Sequence, residues 1–412
     1  MKKKIFVRAP CLSQSGYGEQ SRFALRALRS REDLFEVFIQ PIPWGHTGWI
    51  WEDNEFRQWM DSRITQTQIL LQQQSLNPDI SLQITIPNEF QKICPVNIGY
   101  TAGIETSQVA NQWLQKGNEE VDKILVVSNH AKTTYENTVA PARDQEGRTF
   151  DYTLETPIEV VWECTPREDP QVIPGFEPVY DFNFLMCSQI SPRKNFGNAI
   201  RWWIEEFIDQ EVGLIVKCNT AGNSRIDLER TENSLKEVLN QYPERKCKVH
   251  LLHGDLSAGQ MTELYTHPKV KAIVNIAHGE GFGLPLFEAA REGLPIVTVG
   301  WSGHLDFLTY DGKSYFQSVD YTMRPVQMEA VWEGVISKDA MWAFADQGSY
   351  KMTLRKTLKE WESAKETATE LQELISENFN EEKLYQGFCD AIYAPTGEEL
   401  KWQEALSEID LV

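Results

Sequence analysis

Short apolar runs alternate with amphipathic segments along nearly the whole chain, and this alternation constrains the fold more than any other feature of the sequence. One series of runs begins at Ile5, and a second begins at Phe182. The pattern is typical of parallel α/β sheets, in which helices connect successive strands. Between the two series, the segment from Thr165 to Pro178 contains four prolines, which cannot continue a regular element. We therefore predict an α/β protein with two doubly wound, Rossmann-like domains that face each other across a cleft.

The proline-rich linker also sets the domain boundaries that we predict. The N-terminal domain, on the acceptor side, spans residues 1–177. The C-terminal domain, which is expected to bind the nucleotide, spans residues 178–380. Residues 381–412 are expected to form a last helix and a tail that pack back on the N-terminal domain.

Helical periodicity predicts a helix over residues 19–30, directly after the first strand, and another over residues 282–292. It also predicts helical structure over residues 352–379, where the charged face is interpreted as a solvated surface. The tryptophan-rich segment 43–59 fits neither the helix nor the strand pattern. We interpret it as an insertion near a surface or the cleft.

The charge balance limits the partners of the chain. Its 412 residues include 40 Lys plus Arg and 60 Asp plus Glu, so the formal net charge is −20. A field of this sign repels phosphate backbones and disfavours extended binding to nucleic acids or anionic membranes. The first 31 residues oppose this excess, with eight basic residues and one acid. Such a local positive patch suits a small anion rather than a polymer.

The hydrophobic runs and the cysteines indicate the cellular compartment in which we expect the protein. No stretch approaches the roughly 18 uninterrupted apolar residues of a membrane span. The apolar run after the N-terminal lysines ends at Arg8, too early for a signal peptide. The seven cysteines are odd in number and form no C-x-x-C motif, which favours reduced core thiols over disulfides or a zinc site. We therefore expect a soluble, cytoplasmic protein without a transmembrane segment.

The most informative motif runs from Asn275 to Ala290 and reads NIAHGEGFGLPLFEAA. A predicted strand ends here, glycines let a ligand approach the backbone, and a helix starts with its amide groups aimed at the cleft. Glu280 precedes the helix, and Glu288 lies inside it. Carboxylates bond the paired hydroxyls of sugars and ribose well. The alternative is a plain strand–glycine–helix connection with two surface glutamates. The complete motif, with Gly-Phe-Gly-Leu-Pro between the two glutamates, favours a ligand site over this alternative.

A basic pair, Arg193 and Lys194, follows the first predicted strand of the C-terminal domain. Because a helix begins directly after the pair, both charges and the helix N-terminus can meet one anion, such as a phosphate. A solvated basic pair at a loop tip is an equally good interpretation of these two residues alone.

Gly16 and Gly18 form a Gly-x-Gly pattern after the first strand of the N-terminal domain. The third glycine of a dinucleotide-binding fingerprint is missing, so the pattern does not indicate such a site. A flexible loop that faces a phosphate across the cleft and a simple glycine turn are the two interpretations.

These three loops, in this order on two α/β domains, resemble those of the retaining glycosyltransferases with the GT-B fold. The closest group looks like family 4, also called the glycosyl transferases group 1 domain, and the resemblance is better over residues 182–308 than over the first half. It implies that Glu280 bonds hydroxyls of the donor sugar and that Glu288 bonds the nucleotide ribose. It also implies that Arg193 and Lys194 contact the donor diphosphate, although many members separate their arginine and lysine by several residues.

The resemblance implies further donor-binding residues. In that family, the backbone after the first glutamate contacts the sugar, and another loop lies against the nucleobase. The donor-binding positions are then Gly16, Gly18, Gly254, Gly281, Phe282, Gly283, Leu284 and Glu288.

On the acceptor side, part of the N-terminal half resembles the first domain of a subgroup, which assigns Glu105 and His130 to this side. Many members of the family also place a histidine near the sugar. His46, His130 and His304 are the candidates for it, and a structural role is the alternative for each.

The chain contains no Asp-x-Asp, the pair with which transferases of another fold hold a divalent ion against diphosphate. Because basic residues are available instead, we predict metal-independent catalysis, with no metal site and no required cofactor. The resemblance implies a retaining glycosyltransferase that uses a UDP- or GDP-sugar. The acceptor is a glycan, a lipid or a modified nucleobase, and the sequence does not distinguish these three.

Two alternative functions stay open. One is a sugar-phosphate enzyme on the same fold, such as a phosphorylase or an epimerase. The other is a catalytically inactive protein that binds a glycan or a nucleotide.

Overall fold

The computed structural model describes residues 2–144, 146–220 and 222–394, so the predicted tail from residue 395 onward lies outside the described residues. The strands are β1 (Lys3–Ala9), β2 (Phe35–Pro41), β3 (Ile80–Ile84), β4 (Val96–Thr101), β5 (Lys123–Val126), β6 (Ala140–Arg143), β7 (Thr149–Tyr152), β8 (Ile158–Val160), β9 (Asn183–Cys187), β10 (Gly213–Cys218), β11 (Lys248–His253), β12 (Val270–Asn275), β13 (Ile296–Val299), β14 (Thr309–Tyr310), β15 (Lys313–Ser314), β16 (Gln317–Val319), β17 (Tyr321–Pro325) and β18 (Met341–Ala345). The helices are α1 (Gly16–Ser30), α2 (Glu55–Gln72), α3 (Asn111–Glu120), α4 (Asn129–Asn137), α5 (Phe196–Phe207), α6 (Arg225–Leu239), α7 (Ala258–Thr266), α8 (Leu284–Arg291), α9 (Leu305–Leu308), α10 (Gln347–Lys359), α11 (Trp361–Asn378) and α12 (Glu381–Ile392).

Two parallel sheets of six strands organise the chain. The first has the order β2-β1-β3-β4-β5-β8, and the second has the order β11-β10-β9-β12-β13-β16. In each sheet the chain winds outward in one direction, returns to an inner strand and then winds in the other direction, which is the doubly wound arrangement. The connection between the sheets runs through the proline-rich linker, residues 165–178, which contains no helix or strand. The predicted fold class is confirmed.

The second sheet reverses its winding direction between the neighbouring strands β9 and β12. Open parallel sheets bind ligands outside the carboxyl ends of their strands at such a reversal. The loop after β9 carries Arg193 and Lys194, and the loop after β12 carries Glu280. The topology therefore brings together two candidate loops that lie far apart in the sequence.

Helix α1 begins earlier than its periodicity predicts, at Gly16. Ser15 caps this helix, because its hydroxyl accepts a hydrogen bond from the Gly18 amide at 3.0 Å. A side chain at Gly18 would overlap the Ser13 carbonyl oxygen. Gly16 and Gly18 consequently belong to the first turn of α1, and the flexible loop considered from the sequence is wrong.

Helix α8 begins later than predicted, at Leu284. Gly283 precedes it with φ of +94°, a left-handed conformation that favours glycine and that cannot continue a helix. The backbone from Gly281 to Gly283 therefore stays outside the helix, next to Glu280. The predicted helical region 352–379 is also interrupted, because α10 ends and α11 begins around Glu360.

The last described helix, α12, packs against α1 of the first half. The Phe388 ring lies 5.6 Å from Phe23 and 5.4 Å from Tyr100, measured between ring centroids. The Cys389 thiol donates to the Ala27 carbonyl oxygen at 3.2 Å. The chain thus returns to the first sheet after it has completed the second.

All seven cysteines are free thiols, and five of them are buried, as expected for core cysteines. Among the described residues, no helix has both the length and the apolar composition required to cross a membrane.

Candidate active site

Glu280 is the centre of a buried charge cluster at the carboxyl ends of β9 and β12. Lys194 Nζ donates to both carboxylate oxygens of Glu280, at 2.6 and 2.7 Å. Arg193 Nη1 donates to Glu280 Oε2 at 3.1 Å, and Asn275 Nδ2 donates to Oε1 at 2.8 Å. The Glu280 side chain is only 6% exposed. The structure therefore joins the three catalytic candidates, Arg193, Lys194 and Glu280, in one cluster.

The charges of this cluster determine how Glu280 ionises. Burial by itself raises the pKa of the Glu280 carboxyl, but the Lys194 ammonium and the Arg193 guanidinium outweigh burial and lower it to about 2. A carboxylate of such low basicity is a weak base and a weak nucleophile. It is well suited to accept hydrogen bonds, including those from sugar hydroxyls.

Backbone contacts hold the Glu280 loop in place. The Glu280 amide donates to Ser302 Oγ at 2.8 Å, and its carbonyl accepts from the Gly303 amide at 2.9 Å. On the strand side, Asn275 Oδ1 accepts from the Ala277 amide at 2.8 Å. Glu280 is thus positioned from both sides of its loop.

The loop of residues 276–283, here named the glycine-rich loop, lies directly against the loop that follows β4 of the first sheet. Arg193 Nη2 is 3.2 Å from Glu105 Oε1, and Arg193 Nη1 donates to the Gly279 carbonyl at 2.7 Å. A Cβ at Gly281 would lie 2.8 Å from the Ala102 carbonyl oxygen. The motif glycine is therefore required for the close approach of the two loops, and Glu105 contacts the charge cluster through Arg193.

Glu288 lies in a different environment, in a cavity of about 430 Å³ between the two halves of the chain. Its carboxylate accepts a hydrogen bond from the Tyr265 hydroxyl at 2.8 Å, and burial raises its pKa. We call this space the cleft cavity; it is lined by Gln14, Glu19, Arg22, Arg26, Ile50, Glu52, Asn54, Phe56, Arg57, Met60, Thr165, Pro166, Glu168, Gln171, Leu256, Ser257, Ala258, Met261, Thr262, Tyr265, Glu288 and Arg291.

Gly254 follows β11 with φ of +95°, and its carbonyl accepts from Lys217 Nζ at 2.6 Å. Leu256 and Ser257, just beyond it, line the cleft cavity. The Gly254 loop and Glu288 therefore share one space, although the two segments belong to different predicted motifs.

Phe282 is buried by an aromatic cluster rather than exposed to the cleft. Its ring lies 5.5 Å from Phe287 and 5.0 Å from Phe307. Its side chain therefore belongs to the core, and the donor contact predicted from the sequence falls on its backbone. Leu284 is half-buried as the first residue of α8.

The histidine candidates differ in their surroundings. His304 is fully buried, and its Nε2 lies 2.9 Å from the Val299 carbonyl oxygen, which is a structural contact. Burial, with the neighbouring His304, lowers the pKa of His130 to about 4, so its imidazole is neutral near pH 7. His130 Nε2 is buried and has no hydrogen-bond partner among the described residues. His46 is exposed.

Several residues of the site were missed by the sequence analysis. Asn275 and Ser302 hold Glu280, and Tyr265 holds Glu288. The role of Asn275 could have been predicted from the sequence, because it is a polar residue at the end of a buried strand. Ser302 and Tyr265 reach the site from elements outside the motif, and no sequence pattern marks them.

Glu163 is a further buried acid that the sequence analysis missed. It is 5% exposed, and its Oε2 has no hydrogen-bond partner among the described residues. Burial, with the charge of Glu19, raises the pKa of Glu163 to about 8, against an opposing effect of Arg26.

Because the folded-state pKa of Glu163 is raised, its contribution to stability is present below its ordinary pKa and is lost as the pH rises toward 8. We expect Glu163→Gln to lose this dependence. The melting temperature of the variant should rise relative to that of the wild type between pH 5 and pH 8, as measured by circular dichroism. Glu155→Gln, at an exposed carboxyl, is the control. If the melting temperatures of the variant and the wild type differ by the same amount across this pH range, the ionisation assigned to Glu163 is contradicted.

In the described part of the chain, no group of three or more histidine, cysteine or acidic side chains is arranged to hold a metal ion.

Comparison of the sequence with known proteins gives a partial match to a mannosyltransferase. No family model matches the chain. Over 116 residues it is 28% identical to the serotype-specific mannosyltransferase WbdA of Escherichia coli. This alignment covers 28% of the chain and 13% of the mannosyltransferase, so the chain spans only a small part of this relative's length.

Solved structures resemble the chain over nearly its full length. Anabaena HepE, solved with UDP and glucose, has a TM-score of 0.57 and 12% identity, with 99% of this chain and 100% of HepE covered. Sucrose-phosphate synthase from Thermosynechococcus elongatus has a TM-score of 0.59 and 12% identity, with 99% and 100% covered. The E. coli trehalose-6-phosphate protein bound with UDP-2-fluoro glucose has a TM-score of 0.54 and 10% identity, with 96% and 100% covered. At these identities the likeness concerns the fold. The chain therefore has the GT-B fold, and with the mannosyltransferase match these comparisons support its resemblance to the group 1 glycosyltransferases of family 4.

Proposed function

We propose that this protein is a retaining glycosyltransferase that moves a sugar from a UDP- or GDP-sugar to an acceptor without a bound metal ion. The contact between Lys194 and Glu280 carries the proposal. This contact places a cation that can bind a diphosphate beside a carboxylate that can accept hydrogen bonds from sugar hydroxyls. Both groups lie in one buried site, where the second parallel sheet reverses its winding direction.

Binding of the donor would change the partners of the charged side chains in this cluster. Glu280 pairs with both Lys194 and Arg193, and Glu105 supplies a second negative charge to Arg193. A diphosphate competes for the Lys194 ammonium, and the released Glu280 oxygens then accept hydrogen bonds from sugar hydroxyls. Lys194 thereby stabilises the charge that develops on the leaving diphosphate. Arg193 adds charge and keeps the glycine-rich loop in position through the Gly279 carbonyl.

The nucleoside would bind in the cleft cavity. Its volume of about 430 Å³ falls within the range of small-molecule sites, roughly 300–1,000 Å³. The Glu288 carboxylate is held by Tyr265 and faces this space, so we assign it to the ribose hydroxyls. The backbone near Gly254, which leads into the cavity wall, is assigned to the base. The mannosyltransferase match and the uridine nucleotides of two fold neighbours support a nucleotide-sugar donor.

Retention requires no protein nucleophile in this proposal. The acceptor attacks the anomeric carbon from the face that the diphosphate leaves, and a diphosphate oxygen takes the acceptor proton. The low pKa of Glu280 argues against this carboxylate as the nucleophile or the base. Glu105 and His130 are assigned to the acceptor side, where Glu105 contacts Arg193 of the charge cluster and the neutral His130 is half-buried.

The proposal is tested by a panel of UDP, GDP and their sugar derivatives, followed by thermal shift and by release of nucleoside diphosphate. We expect one nucleotide series to raise the melting temperature and at least one of its sugars to be hydrolysed slowly without an acceptor. Binding without turnover under any condition would indicate an inactive binding protein. Consumption that requires free phosphate would indicate a phosphorylase. No binding by either series would contradict the proposal.

Chelation is expected to leave activity in place. The charge of the leaving diphosphate is met by Lys194 and Arg193 in this account, so EDTA should not abolish turnover of the nucleotide-sugar. Added magnesium can still accelerate product release. The measurement is the initial rate before and after exhaustive treatment with EDTA. Loss of all activity on chelation, with recovery on metal addition, would overturn the metal-independent mechanism.

A further inference from the structure

The segment of residues 43–54, here named the tryptophan loop, is fixed on the connection between β1 and α1. The Gln14 amide donates to the Gly48 carbonyl at 2.8 Å, and the Ile50 amide donates to the Leu12 carbonyl at 2.8 Å. The loop precedes α2 and belongs to none of the helices or strands given above. Its conformation is therefore set by its contacts with the neighbouring connection.

The tryptophan loop exposes two large aromatic side chains beside the cleft cavity. Trp49 is 68% exposed and Trp51 is 63% exposed. Ile50, between them, is buried and lines the cleft cavity, as does Glu52. Two large indoles on one loop that keep most of their surface exposed are available to a binding partner.

A continuous series of contacts joins the tryptophan loop to the glycine-rich loop of the charge cluster. The Trp44 ring lies 4.3 Å from the Tyr17 ring. The Tyr17 hydroxyl is 2.7 Å from Thr101 Oγ1 and accepts from the Ala102 amide at 3.3 Å. Ala102 in turn lies against Gly281. Through Trp44, the tryptophan loop is thus connected to the glycine-rich loop.

Acidic residues follow the exposed indoles in the sequence, and the nearest arginine or lysine along the chain, Arg57, is paired with Asp61. Glu52, Asp53 and Glu55 follow Trp51 in the sequence. The Glu52 carboxylate forms no ion pair within the described residues and is available to hydroxyls. Acidic groups repel phosphate-bearing lipids and nucleic acids, whereas carboxylates beside aromatic faces suit the hydroxyls and apolar faces of neutral sugars.

We propose that the tryptophan loop is the acceptor subsite of this protein and binds a neutral saccharide chain, with Trp49 and Trp51 stacked on sugar rings and Glu52 bonded to hydroxyls. The inference rests on the proposed glycosyl transfer. Of the acceptor classes that the sequence leaves open, it selects a neutral glycan.

The test measures glycan binding and nucleotide binding separately on the full chain. The wild type, Trp49→Ala, Trp51→Ala and the double variant are applied to an array of neutral and anionic glycans. They are also applied to vesicles of phosphatidylcholine with phosphatidylglycerol. Affinities for UDP and GDP are measured by calorimetry. Trp332→Ala is the matched control, because Trp332 is also 59% exposed but lies outside the cleft cavity.

We expect the wild type and Trp332→Ala to bind neutral glycans, with about tenfold or greater weakening in the double variant and unchanged nucleotide affinity. Absence of neutral glycan binding alongside normal nucleotide binding would overturn the subsite and leave the proposed function standing. Glycan binding that needs the indoles, without any nucleotide binding, would support the subsite while contradicting the proposed function. Binding of anionic vesicles that depends on the two indoles would also overturn the proposal.

Discussion

Lys194→Ala is expected to lower the turnover of the nucleotide-sugar by about 10²-fold or more, the usual cost of one charge-stabilising group in a transition state. The leaving diphosphate loses the ammonium that neutralises it, so the loss should appear in kcat. Lys194→Arg should recover part of the rate, because its guanidinium restores the charge with different geometry. The measurement is release of nucleoside diphosphate under saturating donor.

Two controls separate this effect from changes in overall charge or folding. Lys236→Ala removes a solvent-exposed lysine that pairs with Glu232 on α6, and it should leave turnover unchanged. Circular dichroism should show a folded Lys194→Ala protein, because Glu280 then keeps Arg193 as a charged partner. Unaltered kinetics in a folded Lys194→Ala protein would return Lys194 to a structural role.

The two glutamates of the motif are expected to respond differently to the same substitution. Glu280→Gln should lower kcat strongly, by about 10²-fold, with little change in the affinity for nucleoside diphosphate, because Glu280 is assigned to the sugar at the reacting end. Glu288→Gln should chiefly raise KM and weaken the nucleotide, because the ribose lies away from the bond that breaks. Steady-state kinetics and calorimetry with the nucleoside diphosphate measure both effects.

Each glutamine keeps the size of the side chain and one acceptor oxygen, so the pair serves as its own control for packing. Melting temperatures identify any variant that loses stability. The reverse pattern, with nucleotide affinity lost in Glu280→Gln and only turnover lost in Glu288→Gln, would overturn both assignments.

The sequence predicted the fold class well because buried parallel strands leave short apolar runs that repeat with the helices between them. It predicted the grouping of Lys194 with Glu280 only through the resemblance. The structure supplies the physical cause, since β9 and β12 are neighbours at the reversal of the second sheet. The order of strands in a sheet is a long-range property, and no local pattern encodes it.

Local predictions were wrong where a single residue decided at which position a helix begins. Gly16 and Gly18 begin α1 because Ser15 caps the helix. Gly283 delays α8 because its φ is positive. The environment of Glu163 could not be predicted either, because its raised pKa depends on burial by residues that are distant in the sequence.

We propose that the Lys194–Glu280 cluster supports cleavage of a nucleotide-sugar with retention at the anomeric carbon. Proton NMR of the slow hydrolysis reaction tests it without knowledge of the acceptor, because water replaces the acceptor. The first-formed sugar should keep the anomeric configuration of the donor before mutarotation, and Glu280→Gln should suppress its formation. An inverted first product, or equal cleavage by Glu280→Gln, would contradict the account.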